Sequence, residues 1–265
     1  MPVMKYKKKL RVAILTADTL KHQKLLLEKY GNYFDLFSKL FQNAKNNNID
    51  SSENAIDKIK LELLSFDVME KMEYPSVSEL NDIDGVLITG SVSSAYDDEP
   101  WIHGLVKYTK DLIENHKHVK LVGVCFGHQI VGKALGVPVV KNPLGFEVGV
   151  HKITLTDPGK KLAKADNEFL DIVTILPEGF VNIGATEKCA IHGMIKDNHV
   201  LTIQGHPEYF KEWTQDLLMS RRDLFSRDEY EQVFKAAELD HEGVWFGQKI
   251  LRFFAENSDS TVDPP

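Results

Sequence analysis

The sequence places a cysteine where a strand pattern meets a helix pattern. Cys125 ends the apolar segment "KLVGV" and lies between Gly123 and Gly127. This G-x-C-x-G arrangement has the form of a nucleophile elbow, in which a strained turn lifts the nucleophile off the end of a strand. The free N–H groups and positive dipole end of the following helix favour a thiolate. The amide of Phe126 points where an oxyanion would develop.

His206 and Glu208 could supply a general base and the group that orients it. His206 follows the apolar run "VLTIQG", so we expect it at the carboxyl end of a strand, where open α/β sheets hold their active sites. Pro207 separates it from Glu208, and a rigid turn lets the carboxylate hold one imidazole nitrogen while the other faces the thiol. Cys125, His206 and Glu208 therefore form a candidate set of nucleophile, base and orienter.

The remaining histidines and the second cysteine have simpler interpretations. His128 is three residues past Cys125 on the same helix, and we expect it to pack or to stabilise the turn, because a base must approach from across the site. Cys189, with His192 three residues on, is expected to be a half-buried strand residue rather than a metal ligand. The sequence contains no C-x-x-C, H-E-x-x-H, P-loop or dinucleotide fingerprint, and we expect no metal and no cofactor.

The elements that must position these residues alternate between short apolar runs and longer amphipathic stretches. The pattern predicts strands at 10–17, 60–69, 84–90 and 120–125, and helices at 22–44, 102–116 and 127–136. Shorter, more alternating strands follow in "PVVKNP", "VGVHKITLT" and "FVNIGATE", then a strand in 199–209 and helices over 211–254. This order predicts an α/β fold of three layers, with a mostly parallel central sheet, helices on both faces and a small antiparallel region.

Length and composition favour one globular domain over residues 1–265. The chain is 43% hydrophobic and 27% charged, which is ordinary for a globular protein. The segment 42–55, with three consecutive asparagines, is interpreted as a surface insertion, and 256–265 as a disordered tail.

Charge and cysteine content exclude several functional classes. A net charge of −7 argues against a general nucleic-acid surface. Two cysteines are too few for a disulfide framework, and the N-terminal apolar run is too short for a signal peptide or a membrane span. We therefore expect a cytoplasmic protein, with the nucleus as an alternative, that binds neither nucleic acid nor membrane.

The pair of motifs "GVCFGHQ" and "IQGHPE" resembles the class I glutamine amidotransferases, and the resemblance extends over roughly residues 10–250. It implies the flavodoxin-like fold of class I glutaminases, with Cys125 as nucleophile, His206 as base and acid, and Glu208 as orienter. Thiolate attack on a γ-carboxamide would then give a γ-glutamyl thioester, which water hydrolyses.

The same resemblance implies roles for residues around this triad. The segment "DGVLITGSVSSAYDDEPWI" is similar to the loop that supplies the second oxyanion-hole amide, here that of Gly90 or Ser91. Gln129 would line the glutamyl pocket, and Asp171 lies in a region near the bound glutamyl group. Phe169 stands where the family often has a histidine, which weighs against free glutamine as the substrate.

The resemblance leaves several functions open. The segments 89–101 and "IQGHPEYFKEW" are most similar to stand-alone members, including γ-glutamyl peptidases, which cleave γ-glutamyl bonds of glutathione-like compounds, and fungal amidotransferase-like proteins. We therefore prefer a free-standing γ-glutamyl hydrolase. The alternatives are a glutaminase subunit that delivers ammonia to a partner protein, and a catalytically silent binding module. A stress-response flavodoxin-like protein with a reactive cysteine fits less well, because such proteins generally lack the later "HPE".

Overall fold

The structure is a computed structural model that describes residues 8–47, 56–145, 147–157, 159 and 171–256. Within these ranges the chain forms ten strands. They are β1 (Lys8–Thr16), β2 (Ile59–Asp67), β3 (Gly85–Ile88), β4 (Lys120–Val124), β5 (Val139–Lys141), β6 (Thr154–Leu155), β7 (Asp171–Val173), β8 (Val181–Ala185), β9 (Gly193–Lys196) and β10 (Val200–Ile203).

Eight of these strands form one sheet in the order β2-β1-β3-β4-β10-β9-β8-β6. The first five are mutually parallel, whereas β9, β8 and β6 each pair antiparallel with the preceding strand in that order. Strands β5 and β7 form a separate antiparallel pair. The predicted α/β fold with a mostly parallel central sheet and a small antiparallel region is therefore confirmed.

Helices cover both faces of this sheet. The described helices are α1 (Lys24–Tyr30), α2 (Tyr33–Asn46), α3 (Val77–Leu80), α4 (Pro100–Asn115), α5 (Phe126–Ala134), α6 (Lys211–Ser220), α7 (Arg227–Ala236) and α8 (Gly243–Ala255). In the part of the chain that the structure describes, no helix combines the length and apolar character that crossing a bilayer requires.

Side-chain alternation along β1 shows how the core is divided. Leu10, Val12 and Ile14 contact the cluster formed with α1, α2, α6 and α8, whereas Ala13 and Leu15 face the cluster formed with α3, α4 and α5. Successive strand residues point to opposite faces, so a strand that is apolar throughout is buried on both sides. This is the physical reason why continuous apolar runs predicted the three layers.

The prediction of one helix over 22–44 is wrong, because two helices occupy this range. Gly31 adopts a φ of 80°, which ends α1. Asn32 then caps α2 with a capping box. The Asn32 side chain accepts the backbone N–H of Asp35, and the Asp35 carboxylate accepts the backbone N–H of Asn32. The glycine and the cap together turn the chain between the two helices.

Part of the predicted insertion belongs to a regular element. Residues 42–46 continue α2, and Ala44 is buried against the core, whereas 48–55 lie outside the described residues. The predicted tail, except Glu256, and Phe169 also lie outside them. The division into one domain over 1–265 stays a prediction.

Strand register brings the chemistry-bearing loops to one edge of the sheet. Ile88 pairs with Gly123, and Val124 pairs with Ile203, so β3, β4 and β10 end side by side. The three loops that follow these strands begin at Thr89, at Cys125 and at Gln204. They meet at the carboxyl edge of the parallel strands, which is the usual position of a site in this architecture.

Candidate active site

Cys125 lies in a strained turn between β4 and α5. Its φ of 52° and ψ of −103° are uncommon for a residue with a side chain. Its N–H donates to the carbonyl of Ile203 at 2.8 Å, and its carbonyl accepts the N–H of Gln129 at 3.1 Å, as the first bond of α5. Neighbouring strand and helix therefore hold the turn in place.

The two glycines that flank Cys125 are required by close packing. A Cβ at Gly123 would lie 2.6 Å from the carbonyl oxygen of Gly127, and a Cβ at Gly127 would lie 2.4 Å from the carbonyl oxygen of Ile88. Real Cβ atoms do not approach backbone oxygens so closely. The G-x-C-x-G pattern is thus explained by the tight fit of the elbow between β3 and the first turn of α5.

His206 and Glu208 form a short, buried hydrogen-bonded pair. The Nδ1 of His206 lies 2.7 Å from Oε1 of Glu208, and the two side chains are 8% and 0% exposed. This bond directs Nδ1–H to the carboxylate and leaves Nε2 for the thiol. The carboxylate thereby fixes both the tautomer and the orientation of the ring.

The charge on His206 is coupled to its two neighbours. Burial alone lowers the pKa of the imidazole, but the negative charges of Cys125 and Glu208, together with hydrogen bonds to both, outweigh burial and raise the pKa well above its ordinary value. An imidazolium held between a thiol sulfur and a carboxylate is the arrangement that thiolate–imidazolium chemistry needs.

Gln204 also contacts the sulfur, and the sequence analysis did not single it out. Its Nε2 lies 3.6 Å from Sγ of Cys125, and its Oε1 accepts a 3.4 Å hydrogen bond from Nε2 of Gln129. Gln129, which the resemblance placed at the glutamyl pocket, is 3% exposed and orients Gln204 toward the thiol. The position of Gln204, directly after β10 and two residues before the histidine, was the signal that could have identified it.

The loop after β3 lies beside the imidazole. The hydroxyl of Thr89 accepts the N–H of Ala17 at 3.0 Å and donates to the carbonyl of Gly90 at 2.9 Å. Because the peptide is planar and trans, the N–H of Ser91 points away from that carbonyl. Asp18, a second residue that the sequence analysis missed, fixes the next residues of this loop by accepting the N–H of Val92 at 2.9 Å.

Other residues that the sequence analysis singled out have their own surroundings in the structure. Nδ1 of His128 is hydrogen-bonded to Oγ1 of Thr202, 2.8 Å away. Burial lowers the pKa of His128 to about 3, so the ring is neutral at physiological pH. Cys189 is buried, and burial together with Glu147 raises the pKa of its thiol to about 12. Asp171 begins β7. Across the described ranges, no group of three or more His, Cys, Asp or Glu side chains could hold a metal ion.

Comparison with known proteins identifies the family. The sequence model of the class-I glutamine amidotransferases matches residues 41–222, a range that includes Cys125, His206 and Glu208. The chain belongs to the class-I glutamine amidotransferase family. A glutamine amidotransferase-like protein of Schizosaccharomyces pombe is 33% identical over 92% of this chain and 98% of that protein.

Other relatives in the class-I glutamine amidotransferase family carry more specific names. Gamma-glutamyl peptidase 2 of Arabidopsis thaliana is 31% identical over 70% of this chain and 71% of that protein. Gamma-glutamyl peptidase 3 of the same plant is 27% identical over 80% and 81%. The crystal structure of a glutamine amidotransferase from Thermotoga maritima shares the fold, with a TM-score of 0.66, 15% identity, and coverage of 93% of this chain and 99% of that chain.

Proposed function

We propose that this protein is a cysteine hydrolase that cleaves γ-glutamyl amide bonds through a γ-glutamyl thioester. The observation that carries the proposal is the pairing of a strained cysteine turn with a buried histidine that is 2.7 Å from a glutamate oxygen. In this proposal Cys125 is the nucleophile, His206 the acid and base, and Glu208 the orienter.

The first half-reaction would form the thioester. The Cys125 thiolate attacks the γ-carbonyl carbon, and the carbonyl oxygen becomes an oxyanion that accepts hydrogen bonds from backbone N–H groups of Phe126 and of Gly90 or Ser91. The N–H of Phe126 is at the first position of α5, where helix geometry leaves amides without an intrahelical partner. His206 gives its proton to the leaving nitrogen as the carbon–nitrogen bond breaks, and the amine departs.

The second half-reaction would release glutamate. His206, now neutral, accepts a proton from water as the oxygen attacks the thioester carbon. The tetrahedral intermediate uses the same oxyanion hole, and its collapse breaks the carbon–sulfur bond. The thiolate and the imidazolium are thereby restored, and no cofactor takes part in any step.

The choice of a γ-glutamyl peptide as substrate rests on two observations. Two γ-glutamyl peptidases of Arabidopsis thaliana match 70% and 80% of this chain. In addition, the resemblance described above implies a histidine at the position where this sequence has Phe169. Gln129 and Asp171 remain candidates for contacts to the glutamyl group.

A direct assay can test this proposal. Purified full-length protein is incubated with glutathione, with a γ-glutamyl dipeptide and with glutamine, and released glutamate, amine and ammonia are measured. We expect turnover of the γ-glutamyl peptides, its loss in Cys125→Ala, and a covalent γ-glutamyl adduct on Cys125 in rapidly quenched mass spectrometry.

Cys189→Ala is the matched control, because it removes the other cysteine, whose thiol is buried and has a high pKa. That variant should keep full activity. Ammonia release from glutamine without turnover of the peptides would instead indicate a glutaminase that supplies a partner protein. An absence of product and of adduct with every γ-glutamyl compound would contradict the hydrolase and favour a silent binding module.

A further inference from the structure

The imidazole of His206 lies flat against an aromatic ring. The rings of His206 and Tyr209 have centroids 4.0 Å apart and planes that differ by 5°. Tyr209 is only 8% exposed and also contacts Trp213, with centroids 5.5 Å apart. The stack therefore has little freedom to slide, and the face of one ring covers the face of the other.

The Cε1 edge of the imidazole is bounded by the loop after β3. A Cβ built on Gly90 would lie 2.6 Å from Cε1 of His206, so the backbone of Gly90 is in contact with the ring. Only a residue without a side chain leaves room for the imidazole in this position. Tyr209 thus covers a face of the ring, Gly90 contacts its Cε1 edge, and Glu208 holds Nδ1.

Tyr209 is in turn held by a residue that is distant in sequence. Its hydroxyl and that of Tyr33 lie 2.9 Å apart in the interior. Tyr33 is 2% exposed and is the first residue of α2, directly after the Asn32 cap. The start of this helix therefore fixes the ring that supports His206.

We propose that Tyr209 is a positioning residue that, with Gly90, clamps the His206 imidazole and stabilises its protonated form through the electron-rich face of the phenol ring, while Tyr33 fixes Tyr209. An imidazolium stacked on an aromatic face gains a cation–π contribution that a neutral ring lacks, and burial strengthens it. The proposal rests on the proposed function in one respect, namely that His206 acts as acid and base.

Several charged or titratable groups lie around this stack and bear on a titration of His206. Glu208 is on the same loop as His206, and Cys125 is at the N-cap of α5. Tyr33 is uncharged, because burial, Asp18, Glu208 and Cys125 all raise its pKa. On the loop before α8, burial lowers the pKa of His241, which is therefore neutral at physiological pH.

NMR titration of the full-length protein can measure the effect without any substrate. The His206 imidazole resonances are assigned by their loss in His206→Gln, and their pKa is compared between wild type and variants at position 209. Tyr209→Leu and Tyr209→Met both remove the aromatic face, and we expect each to lower the pKa of His206 by about one unit. Tyr209→Phe keeps the face and should hold the pKa within about 0.3 units.

Kinetic readouts separate this role from a merely structural one. The basic limb of the pH profile of kcat should move to lower pH in Tyr209→Leu and stay in place in Tyr209→Phe, with KM nearly unchanged in both. Tyr74→Leu removes an aromatic ring that stacks on Tyr108 of α4 and not on His206, and it should move neither quantity. A lower melting temperature with an unchanged His206 pKa would overturn the proposal.

The part assigned to Tyr33 has its own test. Tyr33→Phe and Tyr209→Phe each remove one partner of the hydroxyl pair, whereas the double variant removes both. Since leaving one buried partner is costlier than removing both, the double variant should be more stable to unfolding than the sum of the single effects predicts. Additive effects would remove Tyr33 from the proposal. If the titration shifts appear while no γ-glutamyl compound is hydrolysed, the proposed function fails and the clamp stands.

Discussion

Substitution of Gly127 by alanine should disturb the turn at Cys125 more than it destabilises the fold. A Cβ at this position would lie 2.4 Å from the carbonyl oxygen of Ile88 and 2.9 Å from its Cβ. To reach the 3.4 Å of ordinary contact, the first distance must lengthen by about 1 Å. The obstacle is the backbone of β3, in the middle of the sheet, so the first turn of α5 must move instead.

The size of that movement sets the expected effect. A displacement of about 1 Å at a reacting group can cost about 100-fold in rate. Overpacking typically lowers the free energy of unfolding by about 1–3 kcal/mol, which corresponds to roughly 2–12 °C in melting temperature for a domain of this size. Gly127→Ala should therefore remain folded at 25 °C and yet react about 100-fold more slowly.

The assay is the rate of Cys125 alkylation by iodoacetamide, followed by mass spectrometry of the peptide that contains it, alongside thermal unfolding. Gly136→Ala is the matched control, since Gly136 has a φ of +78° but no atom within 4 Å of a built Cβ. It should cost about 1–2 kcal/mol in stability through backbone strain alone and leave the alkylation rate unchanged. Wild-type reactivity in Gly127→Ala would refute the explanation of the glycine pattern.

Three further predictions concern charge. Glu208→Gln removes the negative partner of His206, so the pKa of that imidazole should fall by about 1–2 units and the basic limb of the rate profile should move to lower pH, as NMR titration and kinetics would show. The buried ammonium of Lys120 donates to the carbonyl of Phe253, near the end of α8, and to the side-chain oxygen of Asn198. Lys120→Met should therefore lower the free energy of unfolding, measured in urea, by about 2–3 kcal/mol. The rate of Cys125 alkylation should not change. Burial lowers the pKa values of His128 and His192 to about 3. Between pH 6.5 and 3 the unfolded chain therefore binds more protons than the folded chain, and the free energy of unfolding should fall as the pH falls. The decrease should approach about 1.4 kcal/mol per pH unit for each histidine that is protonated only in the unfolded chain. Urea titrations at pH 7 and pH 5 on wild type and His128→Gln would show a smaller pH dependence in the variant.

The parts of the site that were predictable from sequence are those that follow a strand directly. Cys125 comes one residue after β4, and His206 comes three residues after β10, and these strands are neighbours in the sheet. Apolar runs identify the strands, and parallel strands present their carboxyl ends at one edge, so the sequence could bring these residues together. The hydrogen bond between His206 and Glu208 joins residues only two positions apart, and the rigid Pro207 between them was enough to predict it.

The parts that could not be predicted depend on contacts between distant elements. Tyr33 and Tyr209 are 176 residues apart in sequence, and each appears only as an apolar residue in a helical or loop pattern. Asp18 looks like an ordinary loop aspartate until the loop after β3 is placed against it. The break between α1 and α2 was marked by Gly31 and Asn32, but the apolar spacing on both sides continues without interruption and hides it.

The backbone conformation of Cys125 lowers the stability of the fold, whereas the cysteine side chain supplies the sulfur of the proposed nucleophile. A side chain at a φ of 52° and a ψ of −103° typically costs about 1–3 kcal/mol, a sizeable part of the 5–15 kcal/mol that keeps a domain folded. Glycine adopts positive φ without this penalty, so a protein that used the fold only as a scaffold could gain stability there by a single substitution. Cysteine at this position therefore lowers the free energy of unfolding relative to glycine, and the reactivity of its sulfur would be the reason to retain it.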